Sequence, residues 1–401
     1  MAHIILFDNE VRDNLLPLTF TRPVCELRVG VLKIREKWER WMDGSIAYIT
    51  QDYLAEEFPI DYGDVNYVIN GSVMPSEQLC TLLQQMDFNE AFLAGEELIA
   101  AKLDERQFER LIHDEDIREI QGRDLENTDY VRISNLWDLF LINDKAIEQD
   151  FNLLTKGRTS QPISKTNQVI SPAKVFLEEG AAVEYAVLNA STGPIYIGKN
   201  AEIMEGAVLR GPIAIGEGAV LKMGAKVYGP TTIGPYSKIG GEVKNVVVQG
   251  NSNKSHDGYL GNSLLGEWCN LGAGTSCSNL KNNYSEVKVW NYAAEDFQPS
   301  GQQFFGLVMG DHSKSAINTR FNTGSVVGVA ANVFDTGFPP KFIPSFTWAS
   351  SDGYQTFRTD KAFDMIDRMM AHRKKSFTVS DRLLMLRIFE ETAKFRTWEK
   401  E

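Results

Sequence analysis

Residues 197–243 decide the fold of this chain, and they read IGKNAEIMEGAVLRGPIAIGEGAVLKMGAKVYGPTTIGPYSKIGGEV. A large aliphatic residue recurs at every sixth position of this stretch, and a mostly small residue follows four positions later. The aliphatic series is Ile197, Ile203, Leu209, Ile215, Leu221, Val227, Ile233 and Ile239. Neither an α-helix nor a single β-strand has this period, so the repeat describes a different architecture.

A second period lies on top of the first, because Gly198, Gly216 and Gly234 recur every 18 residues. Units of six within a coil of 18 predict a triangular prism of parallel strands, in which the aliphatic residues point inward. We therefore predict a parallel β-helix over residues 175–350. The period shifts phase twice, which predicts excursions from the coil within Asn251–Gly261 and Asn279–Gly306.

The remaining chain has other patterns. In residues 1–155, short β-type runs at 3–7, 46–50, 65–69 and 130–133 alternate with helical patterns at 31–41, 76–86 and 136–154. This alternation predicts an α/β domain with a mostly parallel sheet. Residues 156–174 are polar and contain glycine, serine and proline, so they predict a linker. Residues 351–401 have helical spacing and predict a C-terminal helical cap.

The composition excludes several classes of protein. A chain of 401 residues usually needs more than one hydrophobic core, and its formal net charge of -13 argues against nucleic acid as the main partner. No apolar run is long enough to span a membrane, so we expect no membrane insertion. The four cysteines form no CxxC pair, so we expect reduced thiols, no metal site and a cytoplasmic location.

Two motifs carry a resemblance to a known family. Residues 254–261 read KSHDGYLG and residues 270–275 read NLGAGT, both inside the predicted prism. They are similar to the acetyltransferase site of the bifunctional N-acetylglucosamine-1-phosphate uridyltransferase / glucosamine-1-phosphate acetyltransferase family. The hexapeptide period likewise resembles the left-handed parallel β-helix of hexapeptide acyltransferases. Residues 8–30 resemble a shortened sugar nucleotidyltransferase domain found fused to such a β-helix.

The resemblance implies a role for each matching residue. His256 would be the general base that takes a proton from the amine, because the pKa of an unperturbed histidine, about 6.5, is close to neutral pH. Ala273 would support the tetrahedral intermediate formed with acetyl-CoA through its backbone N–H. The amino sugar and its phosphate would contact Lys244, Tyr259, Asn270 and Asn279. Leu280 stands where the family has a tyrosine, which leaves the choice of sugar open.

The first domain departs further from the family pattern. It lacks the Gly-x-Gly-Thr-Arg loop, and Ser72 stands where larger enzymes have a metal-binding aspartate. The candidates for phosphate and metal binding are Asp8, Arg12, Arg22, Arg28 and Lys33. We expect Mg²⁺ to be required only if this domain is active.

The family resemblance implies acetyl transfer from acetyl-CoA to an amino-sugar 1-phosphate such as glucosamine-1-phosphate. It also implies nucleotidyl transfer by the first domain, with a nucleoside triphosphate or nucleotide sugar as ligand, and assembly as a homotrimer.

Three alternatives remain. The first is a sugar-1-phosphate nucleotidyltransferase that uses UTP or dTTP and whose β-helix mainly forms a trimer. The second is a non-catalytic scaffold, and the third is a γ-type carbonic anhydrase. The last needs three histidines on zinc, and the prism contains only His256 and His312.

Overall fold

The computed structural model of the protein describes residues 2–113, 120–125, 130–335 and 337–400. These residues form two compact units. The first comprises the described residues of 1–15, 21–27 and 32–135, and the second comprises those of 16–20, 28–31 and 136–401. The second unit therefore contains residues 136–155 and the segment 156–174, which the sequence boundaries assign to the first domain and a linker.

The first unit is built on a six-stranded sheet. Its strands are β1 (Ala2–Phe7), β2 (Ser45–Ile49), β3 (Val65–Asn70), β5 (Glu90–Ala94), β6 (Glu97–Leu103) and β7 (Gln121–Asp124). A separate pair consists of β4 (Val73–Met74) and β8 (Val131–Arg132). The helices are α1 (Val11–Asn14), α2 (Ile34–Trp41), α3 (Glu77–Gln84) and α4 (Glu105–Ile112), with 3-10 turns at Val24–Glu26 and Asp52–Leu54.

Most of the pairing in this sheet is parallel, as predicted. β1 pairs in parallel with β2 and β3, and β5 with β7, whereas β6 is antiparallel to both of its neighbours. The predicted β-type run at 130–133 contains a strand, β8, and among the described residues this strand pairs with β4 and not with the six-stranded sheet. The β5–β6 hairpin was not predicted, although Gly95 between its strands has the positive φ of a tight turn.

The second unit contains the predicted parallel β-helix. Its thirteen-stranded sheet comprises β9 (Gln168–Ile170), β10 (Val175–Leu177), β12 (Val187–Asn189), β13 (Ile195–Ile197), β15 (Val208–Arg210), β16 (Ile213–Ile215), β18 (Lys226–Tyr228), β19 (Thr231–Ile233), β21 (Glu242–Gly250), β23 (Tyr259–Glu267), β28 (Leu307–Met309), β31 (Ser325–Val327) and β33 (Phe342–Ile343). Its first strand, β9, lies within the segment predicted to be a linker.

A ten-stranded sheet, called the ten-stranded face below, comprises β11 (Ala182–Val183), β14 (Glu202–Ile203), β17 (Val220–Leu221), β20 (Lys238–Ile239), β22 (Asn253–Lys254), β24 (Asn270–Leu271), β29 (Lys314–Ser315), β32 (Asn332–Phe334), β34 (Thr347–Ser350) and β35 (Gly353–Thr356). Two further pairs are β25 (Ser276–Cys277) with β30 (Arg320–Phe321), and β26 (Lys288–Asn291) with β27 (Asp296–Pro299).

The hexapeptide aliphatics stack in columns inside the prism. Ile197, Ile215 and Ile233 are register partners on consecutive coils and are fully buried. The 18-residue glycine period follows from the same stacking. A Cβ on Gly216 would lie 2.6 Å from the backbone N of Pro235 on the next coil, so a side chain does not fit there.

One predicted excursion is confirmed and the other is wrong. The step from Asn270 to Lys314 spans 44 residues and contains the β26–β27 hairpin, within the predicted excursion at 279–306. Residues 251–261 instead stay on the coil. Lys238 pairs with Asn253, and Asn253 with Asn270, in steps of 15 and 17 residues, so the phase shifts because two coils are short.

Helices of the second unit precede and follow the β-helix. They are α5 (Asp138–Leu141), α6 (Asn143–Thr155), α7 (Thr359–His372) and α8 (Val379–Glu391), with 3-10 turns at Pro172–Lys174, Ala393–Phe395 and Thr397–Lys400. Phe389 of α8 packs on Phe346 of a late coil, with ring centroids 5.2 Å apart. α7 lies along the ten-stranded face instead of across an end, because Met369 contacts Lys314 and Met365 contacts Asn332.

Candidate active site

His256 lies at a corner of the β-helix. The corner comprises residues 255–258, between the end of β22 and the start of β23, and the side chain of His256 is exposed. Within the residues that the structure describes, its ring has no hydrogen bond or ion pair. An exposed imidazole without a competing partner is available to accept a proton from a substrate.

Ala273 lies at the same corner of the next coil. The Gly274 N–H donates to the Asp257 carbonyl over 3.0 Å, so the corner at 272–275 stacks directly on the corner at 255–258. The Ala273 carbonyl accepts a hydrogen bond of 2.7 Å from Asn318. The structure therefore brings together the two residues that the sequence assigned to proton transfer and to the tetrahedral intermediate.

Three other predicted residues, Lys244, Tyr259 and Asn279, lie on the face that follows this corner. Together with Tyr228 and Glu242 they form a group that we call the polar patch. The Asn279 amide donates to the Tyr259 hydroxyl over 3.1 Å. Glu242 is the register partner of Tyr259, and Lys244 lies over the ring of Tyr228 at 5.7 Å. Burial raises the pKa of Tyr259, although the Asn279 hydrogen bond opposes this, so Tyr259 is a neutral hydroxyl near pH 7.

Asn270 is not part of this patch. It lies on the ten-stranded face, where its side-chain oxygen accepts a hydrogen bond of 2.7 Å from Asn253. Its outward-facing column continues through Lys314 and Asn332. These three residues lie beneath α7 and line cavities between that helix and the sheet.

The larger cavity has a volume of about 700 Å³, which is within the range of small-molecule sites. It combines aromatic, amide and cationic side chains, among them Trp348, Phe334, Asn332, Lys314, Arg358 and Lys361. A second cavity of about 550 Å³ shares Asn270 and Met365 with it and includes Arg368 and Arg373. We call the two together the α7 groove. Its chemistry suits a ligand with anionic groups and a flat ring.

Lys314 is the most buried cation of the groove. Its ammonium donates to the His312 carbonyl over 3.1 Å and to the Met369 sulfur over 3.4 Å, and neither partner is charged. Burial lowers the pKa of Lys314 to about 8.

In the first unit, Asp8 follows β1 as predicted. Its carboxylate accepts hydrogen bonds from the Thr50 hydroxyl (2.6 Å) and the Val24 N–H (2.9 Å). Burial raises the pKa of Asp8 although both hydrogen bonds oppose the shift. The same strand edge carries Glu97, which the sequence reasoning missed. Its carboxylate contacts Arg132 and accepts hydrogen bonds from Asn9 (3.0 Å) and Asn70 (3.2 Å).

The predicted basic residues of the first unit have different partners. Lys33 binds Glu26 at 2.9 Å, together with Arg35 at 2.6 Å. Burial alone would raise the pKa of Glu26, but these two cations outweigh it and the pKa is lowered. Arg12 is buried against Tyr53 and Asp13, and Arg22 is buried in the same unit.

Arg28 corrects the prediction most clearly, because it belongs to the second unit. Its backbone N–H donates to the Gln249 side chain over 2.6 Å, and its guanidinium donates to the carbonyls of Gln249 and Val31. Arg28 therefore joins its segment to β21 of the same unit.

The first unit does not fit a magnesium site. Asp8 is held by a hydroxyl and a backbone N–H, and Glu97 is neutralised by Arg132. Among residues 2–113, 120–125, 130–335 and 337–400, no three His, Cys, Asp or Glu side chains converge as metal ligands. All four cysteines are buried and free. In the same ranges no helix has the length and apolarity that a membrane span requires.

The fold and the site define a class of protein, a hexapeptide β-helix carrying an exposed histidine and joined to an α/β unit. Residues 4–159 match the family described as sugar nucleotidyl transferase. A bifunctional sugar-1-phosphate nucleotidylyltransferase/acetyltransferase of Sulfurisphaera tokodaii is 36% identical over 144 residues, 35% of this chain and 35% of that protein. The bifunctional protein GlmU of Methanocaldococcus jannaschii is 34% identical over 87 residues, 22% of this chain and 21% of that protein.

These matches confirm the predicted resemblance to the bifunctional nucleotidyltransferase/acetyltransferase family. The matches cover about a third or less of the length of either relative. Among solved structures, LpxA, a UDP-N-acetylglucosamine acyltransferase from Bacteroides fragilis, aligns with 58% of this chain and 91% of its own, at 14% identity and a TM-score of 0.34.

The depressed pKa of Lys314 predicts a pH effect on stability. The unfolded chain keeps this proton up to about pH 10.4, so between about pH 8 and 10 the unfolded state binds more protons than the folded state. The unfolding free energy of the wild type should therefore rise with pH in this window relative to Lys314→Met, by about 1 to 2 kcal/mol. Urea denaturation at pH 7 and pH 10 measures the difference. Lys361→Met is the control for loss of a cation from the same cavity, and curves for Lys314→Met that stay parallel to the wild type would contradict the prediction.

Proposed function

We propose that this protein transfers an acetyl group from acetyl-CoA to the amine of an amino-sugar 1-phosphate such as glucosamine-1-phosphate. The observation that carries the proposal is the exposed His256 ring on a corner stacked against Ala273 and followed by the polar patch. The likeness to relatives named nucleotidylyltransferase/acetyltransferase supports it.

The residues present suit each requirement of the reaction. His256 takes a proton from the amine as the amine nitrogen attacks the thioester carbonyl, and the Ala273 N–H stabilises the oxyanion of the tetrahedral intermediate. The intermediate collapses when the C–S bond breaks, and the sulfur leaves with a proton returned by His256. Lys244 supplies a positive charge for the 1-phosphate, and Tyr259 and Asn279 supply hydrogen bonds for sugar hydroxyls.

The α7 groove is the proposed site of the acyl donor. Its column of Asn270, Lys314 and Asn332 offers amide and amine groups to an extended chain that contains amides. Arg358 and Lys361 would bind phosphates, and Trp348 would stack on a purine ring. We also propose a homotrimer, because flat prism faces pack around a threefold axis and the clefts between them would complete the site.

Replacing His256 by alanine should lower kcat for acetyl transfer at least about 100-fold, because the general base is lost. The matched control is Met223→Ala. Met223 is exposed and holds the corresponding place, two residues after the strand, at the same corner two coils earlier. The measurement is release of free thiol from acetyl-CoA. Near-normal turnover by the His256 variant would contradict the role of His256 as the base and would indicate that the β-helix is a non-catalytic scaffold.

Replacing Trp348 by alanine should raise KM for acetyl-CoA about tenfold, because a stacking surface is worth about 1 kcal/mol or more. KM for the amino sugar should stay within about twofold, since both substrates then use separate surfaces. Phe338→Ala, an exposed aromatic outside the groove residues, is the control. Equal changes in the KM values for acetyl-CoA and for the amino sugar would contradict the proposal that acetyl-CoA binds in the α7 groove.

The second candidate function is nucleotidyl transfer with UTP or dTTP, favoured by the family match of residues 4–159. The carboxylates at the strand edge are already paired, so we expect the wild type with Mg²⁺, UTP or dTTP and N-acetylglucosamine-1-phosphate to release no pyrophosphate above background. Coupled pyrophosphate detection measures this. Sustained release would establish the second function and show that the site rearranges around the metal.

A further inference from the structure

A lysine occupies the hydrophobic core of the β-helix directly beneath the His256 corner. Lys254 has 1% of its surface exposed and is among the largest fully buried side chains described. Its register partner on the preceding coil is Ile239, whose own partner is Leu221, so Lys254 fills an inward position that neighbouring coils give to aliphatic residues.

The amine of Lys254 joins two successive corners. Nζ donates to the Gly240 carbonyl and to the His256 carbonyl, each over 2.9 Å. The Gly240 N–H in turn donates to the Lys254 carbonyl over 2.7 Å, so Gly240 is bonded to both the main chain and the side chain of Lys254. A side chain in the core is therefore hydrogen-bonded to the backbone of His256.

The corner beneath His256 is unusually short. Only residues 240 and 241 separate β20 from β21, whereas four residues separate β22 from β23. A Cβ on Gly241 would lie 2.8 Å from the Asp257 Cα and 2.9 Å from the His256 oxygen, so the two corners are in close contact. The longer corner lies against the shorter one, and the Lys254 amine is hydrogen-bonded to both.

A buried amine is costly, which indicates that it serves a purpose other than stability. Burial lowers the pKa of Lys254 to about 8, although the charge of the Asp257 carboxylate opposes the shift, and neither of its hydrogen-bond acceptors is an anion. Burying a charged group costs free energy, and an aliphatic residue at this inward position would avoid that cost. What an aliphatic residue lacks is a donor to the His256 carbonyl.

We propose that Lys254 is a positioning residue that fixes the corner at 255–258 and so holds His256 in the place where it acts as a base. This inference rests on the proposed acetyl transfer. Lys254 is separated from the reacting atoms by the His256 backbone, so its effect is on geometry, where small displacements of a catalytic group have large effects on rate.

The test compares Lys254→Met with the wild type in two measurements. The first is hydrogen exchange at the amides of Glu242 and Gly274, which donate to the Gly258 and Asp257 carbonyls of the corner. The second is steady-state kinetics of acetyl transfer. We expect exchange at both amides to be at least about tenfold faster, and kcat to fall about tenfold or more with KM for the amino sugar within about twofold.

The matched control is Ile239→Met, which changes the adjacent inward position and leaves the Lys254 amine in place. It should alter neither exchange nor kcat. Lys254→Met removes a buried charge but also removes the donor to the Gly240 and His256 carbonyls, so its unfolding temperature is measured beside the kinetics. A cooperative transition near that of the wild type shows that lost activity does not reflect a lost fold. If Lys254→Met does not fold, Lys254→Leu takes its place, since Leu221 and Leu271 stand in the same inward column.

Unchanged exchange in Lys254→Met overturns the proposal, and so does faster exchange with an unchanged kcat. Faster exchange with a reduced kcat supports it. A wild type without acetyl transfer would disprove the proposed function and, with it, the catalytic purpose of Lys254, while the exchange comparison would still show whether its amine holds the corner.

Discussion

The stacking of inward side chains from coil to coil is the constraint on which the second unit depends. Each strand contributes a buried residue whose register partners lie directly above and below, as Ile197, Ile215 and Ile233 do. This register places the corners of successive coils next to one another, even where a coil is short. Side chains at the corners therefore do not have to pack in the core, and functional residues can occupy the corners without disturbing it.

The candidate site uses this property across successive coils. His256 and Ala273 occupy the same corner because one coil separates them, and the Gly274–Asp257 hydrogen bond holds the two corners together. The polar patch begins where the next strand begins, at Tyr259. The polar residues of the first unit are arranged differently. Its polar residues collect at a strand edge, where Glu97 pairs with Arg132, and within the described part of the unit no three potential metal ligands converge.

Much of this organisation could be predicted from the sequence, since a six-residue period specifies which residues point inward and which corners align. The short coils could not, because the phase shift at 239–265 is equally compatible with an inserted loop and with missing residues. Lys254 was therefore not recognised as a core residue. The α7 groove and the placement of Arg28 depend on contacts between distant segments, such as Lys314 with Met369 and Arg28 with Gln249, for which the local pattern contains no signal.

The most direct test of the account is thiol release from acetyl-CoA by the wild-type protein across a panel of amino-sugar 1-phosphates, with the corresponding N-acetylated sugars and unphosphorylated amino sugars as comparisons. The account predicts turnover that requires both the free amine and the 1-phosphate. Thiol release that is absent throughout the panel, or equal for the N-acetylated sugars, would contradict it.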